Sequence, residues 1–133
     1  VLQAYNDSAL EGVKVTEFID DMASAYQWAD IVICRAGALT VSELAMAGKP
    51  AIFVPLPHAV DDHQTKNARY LVDKGAAILM PQKDFNAMTL VQTLNSLFGC
   101  TTTLISMAKN ARAAAHADAT AKVSEIIKVA AKR

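Results

Sequence analysis

An α/β fold with a parallel sheet and flanking helices is predicted by three observations. Four short apolar runs, Val13 to Phe18, Ile31 to Cys34, Ala51 to Val54 and Ala76 to Met80, alternate with helical patterns. Strands alternating with helices at this spacing imply right-handed βαβ units. Two of the strands are followed at once by small and polar residues, Arg35-Ala36-Gly37-Ala38 and Pro55-Leu56-Pro57-His58. Two successive strand ends thus deliver polar groups to one edge of a sheet, the edge where ligands bind in open α/β folds. Finally, 133 residues with 53% apolar content suffice for one domain with one core.

Each element follows from its residues. Val1-Leu2-Gln3-Ala4-Tyr5 reads as the middle of a helix, with neither an initiator methionine nor an N-cap, so a piece of a longer protein is expected. Asp20 and Asp21 cap a helix running through Met22, Ala25, Tyr26 and Ala29. Leu39 to Ala47 forms a second helix, stopped by Gly48 and then Pro50. His63 to Lys74 forms a third, with Ala68, Leu71 and Val72 on one face and Gly75 as its stop. Asn86 caps a helix through Met88, Val91, Leu94 and Leu97. Thr102 or Thr103 starts another, to about Ala115, and Asp118 caps a last one with Val123, Ile126, Ile127 and Ala130 inside. Four strands make about half of a doubly wound sheet, which leaves an edge strand without its neighbour.

Charge and cysteine usage narrow the partners. Acidic and basic residues balance at 13 each, so nucleic acid is not an expected partner. Lys122, Lys128, Lys132 and Arg133 read as a solvated helix face. Cys34 and Cys100 lie far apart without metal-type spacing, and Cys34 ends an apolar strand as a small buried hydrophobe. A reducing compartment fits this usage better than a disulfide framework. No run approaches the roughly 20 apolar residues that span a bilayer.

The chemistry concentrates at the strand ends. Asp30 to Glu43 reads as a buried strand, a tight glycine turn and the first turn of a helix. Such a junction aims free backbone N–H groups and the positive end of a helix dipole at one spot, a seat for phosphate. Gly37 permits the tight turn and a close ligand approach, and Ala36 and Ala38 leave room. Thr40 and Glu43 have two readings. As Thr-x-x-Glu they form a capping box, with Thr40 as N-cap and Glu43 as N3. Alternatively, the Glu43 carboxylate accepts from the hydroxyls of a ribose. Arg35 either pairs with a buried acid or neutralises phosphate. His58, Asp61, Asp62 and His63 lack the regular spacing of a metal site. Gln64 is either solvated or reads hydroxyls, since an amide both donates and accepts.

The run Phe18-Ile19-Asp20-Asp21-Met22, then CRAGALTVSELAMAGKPAIFVPLP, then DDHQTKNA, closely resembles the C-terminal domain of the MurG family. The resemblance covers nearly the whole chain from Val13 onward, and three motifs in order make it specific. It implies the donor-binding, Rossmann-like half of a GT-B glycosyltransferase, with the N-terminal acceptor domain absent and no cofactor. The family moves N-acetylglucosamine from UDP-N-acetylglucosamine to the muramoyl 4-hydroxyl of lipid I, with inversion, giving lipid II for peptidoglycan. Carried over by position, Ile19 meets uracil through its backbone and Met22 packs beside it. Ala38, Leu39 and Thr40 offer backbone or hydroxyl donors to the diphosphate without an essential metal, and Gly37 and Arg35 stand beside them as candidate substrate-binding residues. Glu43 holds the ribose hydroxyls, and Gln64 with His63 reads the sugar hydroxyls.

His63 departs from the pattern, since some members carry Gln there. The resemblance also implies a peripheral enzyme at the cytoplasmic face of the bacterial inner membrane. By the resemblance, the acceptor site, the membrane-facing patch and the base are expected in an N-terminal domain outside this chain, and the glycine-rich loop in first strands that are likewise outside it. No catalytic residue is therefore expected here, the chain alone is expected to be soluble and to transfer no sugar, and self-association over an open sheet edge is a possible outcome. Two alternatives stand beside it: a donor subunit that needs a separate partner, and another nucleotide-sugar enzyme such as a UDP-N-acetylglucosamine 2-epimerase. Ala38-Leu39 and Pro55-Leu56-Pro57 lack the acidic and basic residues an epimerase places there.

Overall fold

The computed structural model describes residues 13, 16, 19–57 and 62–131, with side chains described as far as residue 116. In chain order it contains α1 (Met22–Trp28), β1 (Val32–Cys34), α2 (Ala38–Ala47), β2 (Ala51–Phe53), α3 (His63–Val72) and β3 (Ala77–Leu79). A 3-10 turn (Gln82–Asp84), α4 (Ala87–Phe98) and α5 (Thr101–Ala131) follow. The expected strand Val13 to Phe18 lies outside the described residues except for positions 13 and 16, as do Val1 to Tyr5, His58 and Asp61.

The sheet is parallel, in the order β1-β2-β3. Val32, Ala51 and Ala77 lie abreast, and so do Cys34, Phe53 and Leu79. Pairing runs on past the strands, with Val54 N–H donating to Cys34 O and Met80 N–H to Phe53 O, both at 2.8 Å. All three residues of β2 are buried, as expected for a strand with a neighbour on each side and helices on each face.

Alternation along the strands sorts the core into two layers. Phe53, Ala51 and Ala77 face a cluster with Tyr26 of α1, Val41, Leu44 and Ala45 of α2, Ala68 and Leu71 of α3, and Ala111 and Ala114 of α5. Ile52 and Met80 face Leu90, Leu94 and Leu97 of α4, with Leu104 and Met107 of α5. The first turns of α5 therefore serve one layer and its middle the other.

Local chemistry fixes the helix ends. Asp21 caps α1, its carboxylate accepting from Ser24 N–H at 3.1 Å. Asn86 caps α4 with a reciprocal capping box to Thr89. Gly48 ends α2 in the left-handed region at φ 67°, with its N–H on Ala45 O and Lys49 N–H on Leu44 O. Its missing Cβ also leaves the space that the Arg112 side chain of α5 occupies.

One expectation about the C-terminal segment is corrected. The two helices expected on either side of residues 115–118 are a single helix, Thr101–Ala131. Asp118 is an interior residue of that helix and not an N-cap. Its sequence contains neither glycine nor proline and is rich in alanine, so nothing interrupts the backbone ladder. An aspartate is only a weak reason for a helix to begin when the preceding residues propagate one.

Candidate functional site

The β1–α2 junction places the head of α2 at the C-terminal edge of the sheet. Gly37 is the N-cap, and the first intrahelical bond runs from Val41 N–H to Gly37 O at 3.0 Å. The N–H groups of Ala38, Leu39 and Thr40 precede that ladder, and no side chain caps them. Leu39 is 73% exposed. Three converging donors at a solvent-facing helix N-terminus, with the dipole behind them, favour an anion.

Two sequence expectations about this turn need correction. Thr40 and Glu43 form no capping box, because the helix begins at Ala38 and Gly37 holds the N-cap position. Thr40 is thereby the third helical residue and its hydroxyl cannot serve as the cap. Nor does Gly37 adopt a glycine-only conformation: at φ −64°, ψ 149° it is ordinary extended backbone. A Cβ there would meet only Thr40 Oγ1, at 3.9 Å. What glycine supplies is open space over the helix head, not an unusual turn.

Freed from the capping box, Glu43 turns toward α1. Tyr26 Oη donates to Glu43 Oε2 at 3.0 Å. Burial first, and then the Glu43 carboxylate, push the Tyr26 hydroxyl up to about 12, so it stays a donor. The two side chains line a groove of about 710 Å³ between α1 and α2, together with Asp21, Met22, Gln27 and Met46. Met22 and Glu43, the residues expected at base and ribose, are thus brought together. Ile19 lies before α1, 44% exposed, and is not among the residues lining that groove. Sequence reasoning assigned no site role to Tyr26, and its four-residue spacing from Met22 is the signal that would have placed it on the same helix face.

A second set of contacts secures the turn from α3. Gln64 Oε1 accepts from Leu56 N–H at 2.8 Å and, more weakly, from Ala36 N–H at 3.4 Å. Asn67 Nδ2 donates to Ala36 O at 3.0 Å. One turn of α3 therefore holds both polar groups of Ala36, which is fully buried. Because both partners of Gln64 are N–H groups, its carbonyl end must face them, which leaves the Nε2 hydrogens as the part that can reach a hydroxyl. Asn67 was missed in the sequence, although it follows Gln64 by three residues and so shares its face. His63 is the first residue of α3, beside Gln64.

The hydrogen bonds of Arg35 are with the backbone at the end of β2. Its Nη1 donates to Val54 O at 3.2 Å and Pro55 O at 3.3 Å, bracing the end of β2. It borders a separate hollow with Ile33, Val54 and Phe85. Cys34, expected to be buried, is half-buried and packs against the core cluster, and this partial burial pushes its thiol up to about 11. Among the described residues no three His, Cys, Asp or Glu side chains gather as metal ligands. No described helix is long and apolar enough to cross a membrane.

The profile of the glycosyltransferase family 28 C-terminal domain matches residues 2–124. The chain belongs to that family. It is 63% identical over 114 residues to the UDP-N-acetylglucosamine--N-acetylmuramyl-(pentapeptide) pyrophosphoryl-undecaprenol N-acetylglucosamine transferase of Colwellia psychrerythraea, covering 86% of this chain and 30% of that protein. It is 56% identical over 127 residues to the protein of the same name from Aeromonas hydrophila, covering 94% and 34%. The chain thus spans about a third of the length of these relatives. Among solved structures, Acinetobacter baumannii MurG superposes with a TM-score of 0.76 at 46% identity, over 84% of this chain and 33% of that one. The glycosyltransferase VinC, at 18% identity and a TM-score of 0.72, shares the fold. An α/β half-domain of the GT-B type, expected from the resemblance, is what the family match and the MurG superposition support.

Proposed function

We propose that this chain is the donor-binding part of an inverting N-acetylglucosaminyltransferase that moves N-acetylglucosamine from UDP-N-acetylglucosamine to lipid I. The observation that carries the reading is the order of groups along α2. Three uncapped N–H groups stand at its head and Glu43 follows one turn later. A rise of about 1.5 Å per residue separates Leu39 and Glu43 by roughly 6 Å, the span from a diphosphate to its ribose. Met22 lines the same groove as Glu43 and is suited to pack against a base. On the other side of the turn lies Gln64 with His63, suited to the transferred sugar. The names of the relatives support the donor and the undecaprenol-linked acceptor.

In this reading the residues of the chain do two things. Ala38, Leu39 and Thr40 donate to the diphosphate as the glycosidic bond to the sugar breaks and negative charge grows on the leaving UDP. Donors already aimed at that charge stabilise it without reorganising. Glu43 accepts from the ribose diol and fixes the nucleotide along α2. Groups that bind lipid I, the proton acceptor for its hydroxyl and the membrane-facing patch are assigned to the part of the relatives that this chain does not span.

The test is calorimetric titration of the chain with UDP, UDP-N-acetylglucosamine and UDP-N-acetylgalactosamine, with amide NMR to locate the response. Binding is expected, tighter for the N-acetylglucosamine donor than for its epimer, with shifts at Ile19, Ala38 to Thr40, Glu43 and Gln64. A folded chain whose amides respond to none of the three, or respond elsewhere, would overturn the assignment.

A further inference from the structure

We propose that Tyr26 is a positioning residue for nucleotide recognition: its hydroxyl holds the Glu43 carboxylate in the orientation that accepts from the ribose diol of a nucleoside diphosphate. The inference rests on the donor-site reading above and assigns a new part of that site.

The geometry is specific. A carboxylate offers two oxygens with about four lone-pair directions. Tyr26 occupies one of these, on Oε2, at 3.0 Å. The other directions remain for two hydroxyls. Glu43 is only half-buried, on a long side chain with three rotatable bonds. Without a partner it would sample several rotamers, and a ligand would have to select one of them. Tyr26 is suited to prevent that. The residue is 7% exposed and belongs to the main core cluster, so packing fixes its position before any ligand arrives. Its hydroxyl meets the carboxylate at the wall of the groove that both residues line.

The connection also joins the two halves of the site. Met22 and Tyr26 are four residues apart on α1, so the contact expected at the base and the anchor of the ribose acceptor share one helix face. Lys49 Nζ donates to Gln27 O at 3.3 Å, a further tie between α1 and the segment after α2. The spacing between the base wall and the ribose acceptor is therefore set by α1 docking on α2, with the Tyr26–Glu43 bond at its centre.

The rival explanation is that this bond only fastens two helices. Titration of the whole chain with UDP, and with dideoxyuridine diphosphate that lacks both ribose hydroxyls, separates the two. Tyr26→Phe keeps the ring and removes only the donor. It is expected to weaken UDP roughly threefold to tenfold, the cost of ordering the Glu43 side chain on binding and not of a bond to the ligand itself, and to leave the dideoxy ligand unchanged. In a Glu43→Ala background the same substitution is expected to add nothing. Equal weakening of both ligands, or an undiminished effect beside Glu43→Ala, would show a structural role and overturn the inference. So would Tyr26→Phe binding UDP like the parent chain. If the parent chain binds no UDP, the proposed function falls and takes this inference with it. If it binds both ligands equally, the ribose role of Glu43 falls, and Tyr26 has nothing to position.

Discussion

Two glycines flank α2, and adding one methyl group to each should have opposite consequences. Gly37→Ala places a Cβ on extended backbone at φ −64°, where its nearest contact is Thr40 Oγ1 at 3.9 Å. Restricting the unfolded chain gains about 0.4–1 kcal/mol. Replacing glycine by alanine at an N-cap loses about as much, so stability should stay within roughly 1 kcal/mol of the parent. Gly48→Ala instead forces a β-carbon onto a residue at φ 67°, which costs about 1–2 kcal/mol. That carbon would also lie 2.5 Å from Arg112 Cγ and 2.9 Å from Cδ, so the Arg112 side chain must leave its place against α2. With urea m-values of about 1–3 kcal/mol per molar, Gly48→Ala should lower the midpoint by around 1 M. Binding should invert the order. The Gly37→Ala methyl enters the open space beside Thr40 Oγ1 at the head of α2 and should weaken UDP about tenfold if it displaces the phosphate from one N–H, since one charge-assisted bond is worth roughly 1.5–3 kcal/mol. Gly48→Ala lies at the far end of the helix and should bind UDP normally while folded. Urea unfolding and calorimetry on both variants decide the matter. A Gly37→Ala chain that unfolds as early as Gly48→Ala would refute the ordinary, open backbone at Gly37, and one that binds UDP like the parent would refute the placement of the diphosphate at the head of α2.

Two further outcomes follow from the titratable groups. Burial raises the Cys34 thiol to about 11, whereas the exposed Cys100 thiol is lowered by the Thr103 hydroxyl and backbone N–H. Alkylation near neutral pH, read by peptide mass spectrometry, should therefore modify Cys100 first, and earlier modification of Cys34 would contradict its buried setting. The Tyr26 hydroxyl, raised from 10.0 to about 12, keeps its proton in the native chain after the unfolded chain has lost it. Its contribution is thus fully present below about pH 10 and is lost as pH rises toward 12. Urea unfolding at a series of alkaline pH values should show that fall, and Tyr26→Phe should make it shallower; identical slopes for the two chains would show that the bond carries no linkage.

Much of this protein is written locally. The three described strands, the caps at Asp21 and Asn86, and the stops at Gly48 and Gly75 were legible because apolar runs, short polar caps and left-handed glycines act within a few residues. Ordered motifs along the chain were enough to point to the family, since they record residues side by side in sequence. The single long helix at the C-terminus was misread for the same reason: one aspartate looks like a cap when the propagating residues around it are not weighed.

Tertiary structure decided what each polar side chain does. Glu43 could close a capping box or face a ligand; the start of the helix at Ala38 removes the first, and Tyr26, 17 residues earlier, takes one carboxylate oxygen. Arg35 reached two carbonyls beyond β2 that no local pattern connects to it. Gln64 and Asn67 converged on Ala36 across about 30 residues because β1, β2 and α3 pack in one layer order. Periodicity and capping are short-range and can be read from the sequence. Hydrogen-bond partners across the sheet depend on register and helix docking, which only the packed chain fixes.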